Sequence, residues 1–322
     1  ARRRAREALR HYSQVTHDYE TTELLAGTIP EDDPHGAQVM ARYRWFRSEY
    51  EKVTRSWQDF GSPYRTQWFG MSVLGRATEL KKRSELLDSL DDVIANTATF
   101  LSLSPGWDRV WSNEQGPVLE DLQSLRRLCH QIDSSDAAES GSIVERTKEE
   151  REWVRSRKQR LDDMTSGLEA GSLQPSAALD ELDEIADETK TKAARLAREA
   201  IDADTSRYAD ERRHRYDDSV SSADAAYAGY WYLGGGHGSY NPHSTIRLNP
   251  SSPAISAIDS SGSGSGAGGS FSSFTPVSDL VVGYSSASSY TPSSGSGSSG
   301  SSFSGGYSGG GGFSGSGSSS SF

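Results

Sequence analysis

The stretch GAQVMARYRWFRSEYEKVTRSWQDF, from Gly36 to Phe60, sets Val39, Tyr43, Phe46, Tyr50, Val53, Trp57 and Phe60 at alternating intervals of four and three residues. That period puts all of them on one stripe of an α-helix; in a strand, whose side chains alternate with a period of two, they would scatter over both faces. Arg42, Arg44, Arg47, Glu49, Glu51 and Lys52 fall on the other faces, so the helix has one dry side. A tight two-stranded coiled coil favours Leu, Ile and Val in its seam, whereas rings of this size suit the wider core of a bundle. The segment predicts a helix packed within a bundle.

Helical periodicity recurs along the chain. ARRRAREALRHYSQVTHDYETTELLAG reads as a helix with Ala8, Leu9, Tyr12, Val15, Tyr19 and Leu24 as its inner residues, ending near Gly27, and IPEDDPHG is the connector. SPYRTQWFG predicts a turn or short helix. MSVLGRATELKKRSELLDSLDDVIANTATFLSL then predicts a long amphipathic helix with Leu80, Leu87, Leu90, Val93, Ile94, Phe100 and Leu101 on its apolar face. Gly116-Pro117 predicts a new helix start, because proline suits the first turn, and from there Val118, Leu122, Leu125, Cys129 and Ile132 step by four and three again. The linker DSSDAAESG precedes Ser142-Ile-Val-Glu145, which has the form of a capping box. The helix it opens is so charged that most of it is expected to face water.

Pro175 opens a further helix in which Leu179, Leu182, Ala186, Thr189, Ala193, Leu196, Ala200 and Ala203 hold the seven-residue repeat. Acids crowd its first half and bases its second, which complements the helix dipole, and Glu188 with Lys192 is expected to form an i,i+4 pair. Helicity is predicted to continue through RYADERRHRYDDSVSSADAAYAGYWYL and to stop at Gly234-Gly235-Gly236. Strand signals are weak throughout, the best being SDLVVGY.

Beyond residue 218 the only charged residues are Asp224, Arg247, Asp259 and Asp279, and serine and glycine dominate. Such a composition cannot bury a core and predicts disorder. The isolated aromatics Phe271, Phe274, Tyr284, Tyr290, Phe303, Tyr307, Phe313 and Phe322 leave two readings open, a plain linker or weak multivalent association. The expected organisation is a helical bundle over 1–139, charged coiled-coil-like helices over 140–232, and a disordered Ser/Gly/aromatic tail over 233–322. The fold class is all-α, an elongated helical bundle.

The net charge of −11 over 322 residues argues against nucleic-acid binding, which needs a surplus of Lys and Arg. Cys129 is the sole cysteine, so there is neither an internal disulfide nor a thiolate metal cage, and a reducing compartment fits. Cys129 and His130 are adjacent, which on a helix turns their side chains about 100° apart and prevents a nucleophile-base dyad; Cys129 reads as a core thiol. The carboxylate pairs Asp91-Asp92, Asp162-Asp163 and Asp217-Asp218 read as solvated faces, since acid-base chemistry needs two groups facing one substrate. His237 and His243 are close in sequence but make a weak metal site in a glycine-rich loop, and the glycine runs lack the strand and helix that a phosphate loop requires. No cofactor and no small-molecule substrate are indicated.

The helical region entered through ARRRAREALRHYSQVTHDYETTELLAG and the ending GYSGGGGFSGSGSSSSF together resemble the C-terminal part of actinobacterial single-pass membrane proteins of unknown function. In these a TPM-type extracytoplasmic domain and a transmembrane helix precede a helical domain and a Ser/Gly-rich tail. The resemblance implies a location and no reaction. TPM-domain relatives are linked to phosphatase activity or photosystem maintenance, but no residue here matches that domain. Arg2, Arg3, Arg4, Arg6 and Arg10 are what the positive-inside rule places on the cytoplasmic side of a span ending just before Ala1.

We therefore expect a non-enzymatic scaffold or interaction region facing the cytoplasm. Its membrane contact would run through an upstream span, and its seams at 39–60, 118–132 and 179–203 would carry packing or partner contacts. Two alternatives stand beside this: a regulatory domain of a membrane-anchored hydrolase whose catalytic part lies outside this chain, and a soluble self-associating coiled-coil protein.

Overall fold

The computed structural model describes residues 1–61, 70–232 and 277–291, and among these every regular element is helical. In chain order they are α1 (Arg2–Ala26), α2 (Pro34–Phe60), α3 (Met71–Leu101), α4 (Trp107–Asp133), a 3₁₀ turn (Asp136–Glu139), α5 (Gly141–Glu169), α6 (Pro175–Asp202), α7 (Ala209–Tyr232) and α8 (Val277–Ser288). The all-α reading holds. Ala1–Tyr290 is one unit, and of the second, Thr291–Phe322, only Thr291 lies among the described residues.

Helices α1, α2 and α3 build the first core. Val39, Tyr43, Phe46, Val53 and Phe60 of the α2 seam are buried, with Tyr50 and Trp57 half-buried beside them. They meet Tyr12 and Tyr19 of α1 in a run of rings: Tyr12–Tyr50 at 6.0 Å, Tyr19–Tyr50 at 4.4 Å and Tyr19–Phe46 at 5.9 Å between centroids. The inner face of α1 differs from the one expected. Leu9 and Leu24 are 49% and 76% exposed, while Ala5, Ala8, Val15, Thr22 and Ala26 are buried. With Tyr12 and Tyr19, these residues step by three and four along the helix, and both leucines fall off that register. Small side chains face inward because α1 runs closely along α3, where Ala5 and Ala8 cluster with Val73 and Ala77.

Helix α3 is central to this region and is buried on two adjacent stripes. One is Val73, Ala77, Leu80, Ser84, Leu87, Asp91, Ile94 and Ala98; the other is Leu90, Val93, Thr97 and Phe100. Asp91, expected on a solvated face, is 4% exposed and sits at a core position of the first stripe.

Helices α4 to α8 build the second core. The α4 seam of Val118, Leu122, Leu125, Cys129 and Ile132 is buried throughout. Pro117 does not start this helix: α4 begins at Trp107 and runs through it. Proline there removes one backbone hydrogen bond, but buried Val110 and Trp111 before it and Val118 after it anchor the helix to the same core. Ser142-Ile-Val-Glu145 is not the cap of α5 either, since the helix starts at Gly141 with Ser140 as its N-cap residue. Although rich in charge, α5 buries Ile143, Thr147, Glu150, Val154, Leu161, Met164 and Leu168.

The SDLVVGY stretch, the best strand signal, is helical in α8, which packs against α4, α6 and α7 and buries Val277, Leu280, Val281 and Tyr284. Neighbours decide that conformation, since a short apolar run does not distinguish strand from helix by itself. The expected tail disorder over 233–322 is thus replaced by a docked helix at 277–288, and the rest of that stretch, with His237 and His243, lies outside the described residues. So does the expected turn or short helix at 62–69.

Phe100 of α3 stacks on Trp111 of α4 at 5.5 Å within the second core, and Leu101 beside it packs against both cores. A second junction joins the starts of α2 and α6. Asp33 caps α2 by accepting from the Gly36 amide at 2.9 Å and also accepts from the Ser176 hydroxyl, while His35 Nε2 lies 2.9 Å from Asp180 Oδ1. Gly36 is required here, because a Cβ would lie 2.0 Å from the Pro30 carbonyl oxygen.

Candidate functional site

Among the described residues, Asp91, Glu150 and Arg212 are buried charged groups at the centre of polar contacts inside the bundle. The first is Asp91 at the interface of α1 and α3. Burial pushes its carboxyl up to about 6; the Thr22 hydroxyl opposes the shift, and Asp18, Asp92 and Asp88 add to it. One of its oxygens, Oδ1, has no hydrogen-bond partner among the described residues. Nearby His11 Nδ1 lies 2.6 Å from Asp88 Oδ2. Such a carboxyl can take up a proton near neutral pH, but it faces helix α1 rather than a cleft.

The second centre joins α5 to α6. Glu150 is 1% exposed and accepts from Lys192 Nζ at 2.9 Å and Arg195 Nη2 at 3.3 Å. Lys192 also lies 4.9 Å from the Trp153 ring centre, a cation-π contact. Glu188 and Lys192 do not pair along α6 as expected: Glu188 binds Arg157 of α5 at 3.2 Å and Lys192 binds Glu150. An exposed i,i+4 pair is worth only about 0.3–0.5 kcal/mol, so packing against α5 readily redirects both side chains.

The third centre ties α7 to the 3₁₀ turn and to α8. Arg212, 5% exposed, donates from Nη1 to Asp136 at 2.7 Å and Asp204 at 2.8 Å, and from Nε to the Tyr290 carbonyl at 3.2 Å. Burial alone would raise the Asp204 carboxyl, but the Arg212 and Ser206 hydrogen bonds outweigh it and hold the carboxyl below its ordinary value. Beside this centre Tyr284 Oη and Ser135 Oγ are 2.8 Å apart.

The residues singled out in the sequence fall into two groups. Seam residues Val39 to Phe60 and Val118 to Ile132 are interior, so their surface is spent on packing within the chain. Cys129 is fully buried, and burial pushes its thiol up to about 12, which keeps it protonated and a poor nucleophile. Arg2, Arg3, Arg4, Arg6 and Arg10 are exposed on α1. Arg3 reaches Glu7 at 3.5 Å and Arg4 donates to Thr78 at 2.6 Å. Arg2, Arg6 and Arg10, each one turn from the next, make no ion pair with a described residue and form a basic stripe.

Sequence reasoning missed the buried polar centres. Glu150 stands at a seven-residue interval from Ile143 and seven-residue intervals lead on from Thr147 to Val154 and Leu161, a signal the charge of α5 concealed. Arg212 carried no signal, because its three partners, Asp136, Asp204 and Tyr290, come from separate stretches of chain. A broad open groove of about 770 Å³ lies between α4, α5 and the start of α8, lined by Arg126, Arg127, His130 and Lys158 with Glu120 and Asp121 among them. Mixed charge gives it no single preference. No group of three or more His, Cys, Asp or Glu suited to a metal ion occurs among the described residues, and none of the described helices is long and apolar enough to cross a membrane.

Helices held together by apolar seams and interhelical ion pairs define a helical-bundle protein. Residues 1–182 match the family described as "Domain of unknown function (DUF5129)". That is more than half of the 322 residues, and the chain belongs to this family. No curated protein and no solved structure matches the chain.

Proposed function

We propose that this chain is a non-enzymatic scaffold or protein-interaction region of a membrane-anchored bacterial protein, held at the cytoplasmic face by a span that precedes Ala1. The observation that carries this reading is the basic stripe Arg2, Arg6 and Arg10, exposed at the start of α1. Cations just inside a membrane span fix its orientation, and α1 continues from them into the bundle without a break. The resemblance of the sequence to proteins in which a TPM-type domain and a transmembrane helix precede a helical region is in keeping with this reading. The buried charges Glu150 and Arg212 bridge helices, a use of polar groups that favours a rigid scaffold over reaction chemistry.

The test uses the full-length gene product in its own cells. It should sediment with membranes and resist salt extraction, and residues 1–232 should be cleaved by a protease admitted to the cytoplasm and spared by one added outside intact cells. Recovery in the soluble fraction, or cleavage from outside, removes the reading.

A further inference from the structure

Helix α8 is joined to the bundle as a ligand is joined to a receptor. It contacts α4, α6 and α7, yet 44 residues, 233–276, separate it from the end of α7. Its buried side chains Val277, Leu280, Val281, Tyr284 and Ala287 follow the i, i+3, i+4, i+7 pattern by which an amphipathic helix fills a groove. Specific contacts seat it. Tyr284 meets Ser135, the backbone carbonyl of Tyr290 accepts from buried Arg212, and the Arg215 guanidinium lies 3.6 Å from the Tyr290 ring centre. Gly283 lets the helix come close to α7: a Cβ there would lie 2.9 Å from Ser219 Oγ.

Twelve residues that include a glycine and several serines and valines do not hold a helix in water. The groove therefore supplies the stability of α8, and none of its packing partners lies near it in the sequence. A chain of 44 residues can span up to about 150 Å, which is ample for α8 to reach the groove of another molecule. Because the contacts that seat α8 are with α4, α6, α7 and Ser135, exchange between two copies would restore them in a closed, symmetric pair.

We propose that the groove between α4, α6 and α7, which holds the chain's own α8, also takes the α8 of a second copy by exchange. The own helix has the advantage of tethering; for short flexible tethers the effective concentration is on the order of millimolar. Exchanged pairs therefore grow as protein concentration approaches that range, as it does for molecules crowded on a surface. This inference does not depend on membrane attachment.

Two variants of the whole chain that each add one cysteine test it, Ser219→Cys and Gly283→Cys, whose Cβ atoms would stand 3.5 Å apart, within disulfide reach. Cys129 is fully buried and does not compete. The double variant Ser219→Cys/Gly283→Cys should close a disulfide within one chain under mild oxidation, reporting that α8 is docked in solution. A mixture of the two single variants should give a disulfide-linked pair on a non-reducing gel, its yield rising with time and with concentration. Closure in the double variant with no linked pair in the mixture up to about 1 mM overturns the exchange. Failure of the double variant to close overturns the docking on which it rests. Light scattering of the unaltered chain gives an independent reading: a mass that stays monomeric over the same range also counts against the proposal.

Discussion

The two halves of the bundle solve the same packing problem with different materials. The α1–α3 core is built of rings, with Tyr12, Tyr19, Tyr43, Phe46, Tyr50 and Trp57 in contact, and its elements follow one another along the chain. The α4–α8 core is built mainly of Leu, Ile, Val and Ala around a few rings such as Trp111 and Tyr284, and takes its last helix from beyond residue 276. An aromatic ring buries about 150–250 Å², so a few of them make a core that can harbour the incompletely satisfied Asp91. Alanine-rich seams bury less per residue. There the buried charges are paired between elements, Glu150 with α6 and Arg212 with Asp136 and Asp204.

The largest expected effect breaks the ionic half of this contrast. Replacing both Lys192 and Arg195 by methionine strands Glu150, 1% exposed, without its cations, and should cost about 3–5 kcal/mol in denaturant titration. A loss under about 1 kcal/mol would show that water reaches Glu150. The apolar halves compare next: Phe46→Ala should cost about 3–5 kcal/mol and Leu125→Ala about 2–5 kcal/mol. Since α3 contributes to both cores and its Leu101 packs against each, both should lower one shared thermal transition; two separate transitions would mean the halves melt independently.

Asp91 sharpens the comparison in the opposite direction. Its carboxyl sits at about 6 against an ordinary 3.8, so the folded chain holds more protons than the unfolded one between those values. This group therefore makes stability fall as pH rises through that window and stay lower above it. Asp91→Asn should flatten that part of the pH profile and gain about 1–3 kcal/mol at pH 7. An unchanged profile measured from pH 4 to 7 counts against the assignment. Smallest is the exposed pair Arg155 and Glu152, 2.6 Å apart: Arg155→Gln should shift stability by less than about 0.5 kcal/mol, in contrast to the Glu150 partners.

Much of this fold was legible residue by residue. The seams of α2, α4 and α6 were readable because a strict interval of three and four leaves no other face for large apolar side chains. Where hydrophobicity was weighed above register, the reading went astray: Leu9 and Leu24 were placed inside α1, although Ala5, Ala8, Val15 and Thr22 keep the interval and are the buried ones. Register also places Asp91 in the core of α3, where its charge argued for solvent. The basic stripe Arg2, Arg6 and Arg10 was legible as charge, and all three side chains are exposed.

By itself the sequence determined helices, most of their inner faces and the inert setting of Cys129, since these follow from local periodicity and from which side chains water rejects. Only the tertiary structure decided that Lys192 turns from Glu188 to Glu150, that Arg212 gathers Asp136, Asp204 and Tyr290, and that α8 is a docked helix. Each of those outcomes depends on groups distant in sequence competing for the same partner. Long-range packing settles such competitions, because a partly buried interhelical contact outweighs the few tenths of a kcal/mol that a local pair or a local conformational preference supplies.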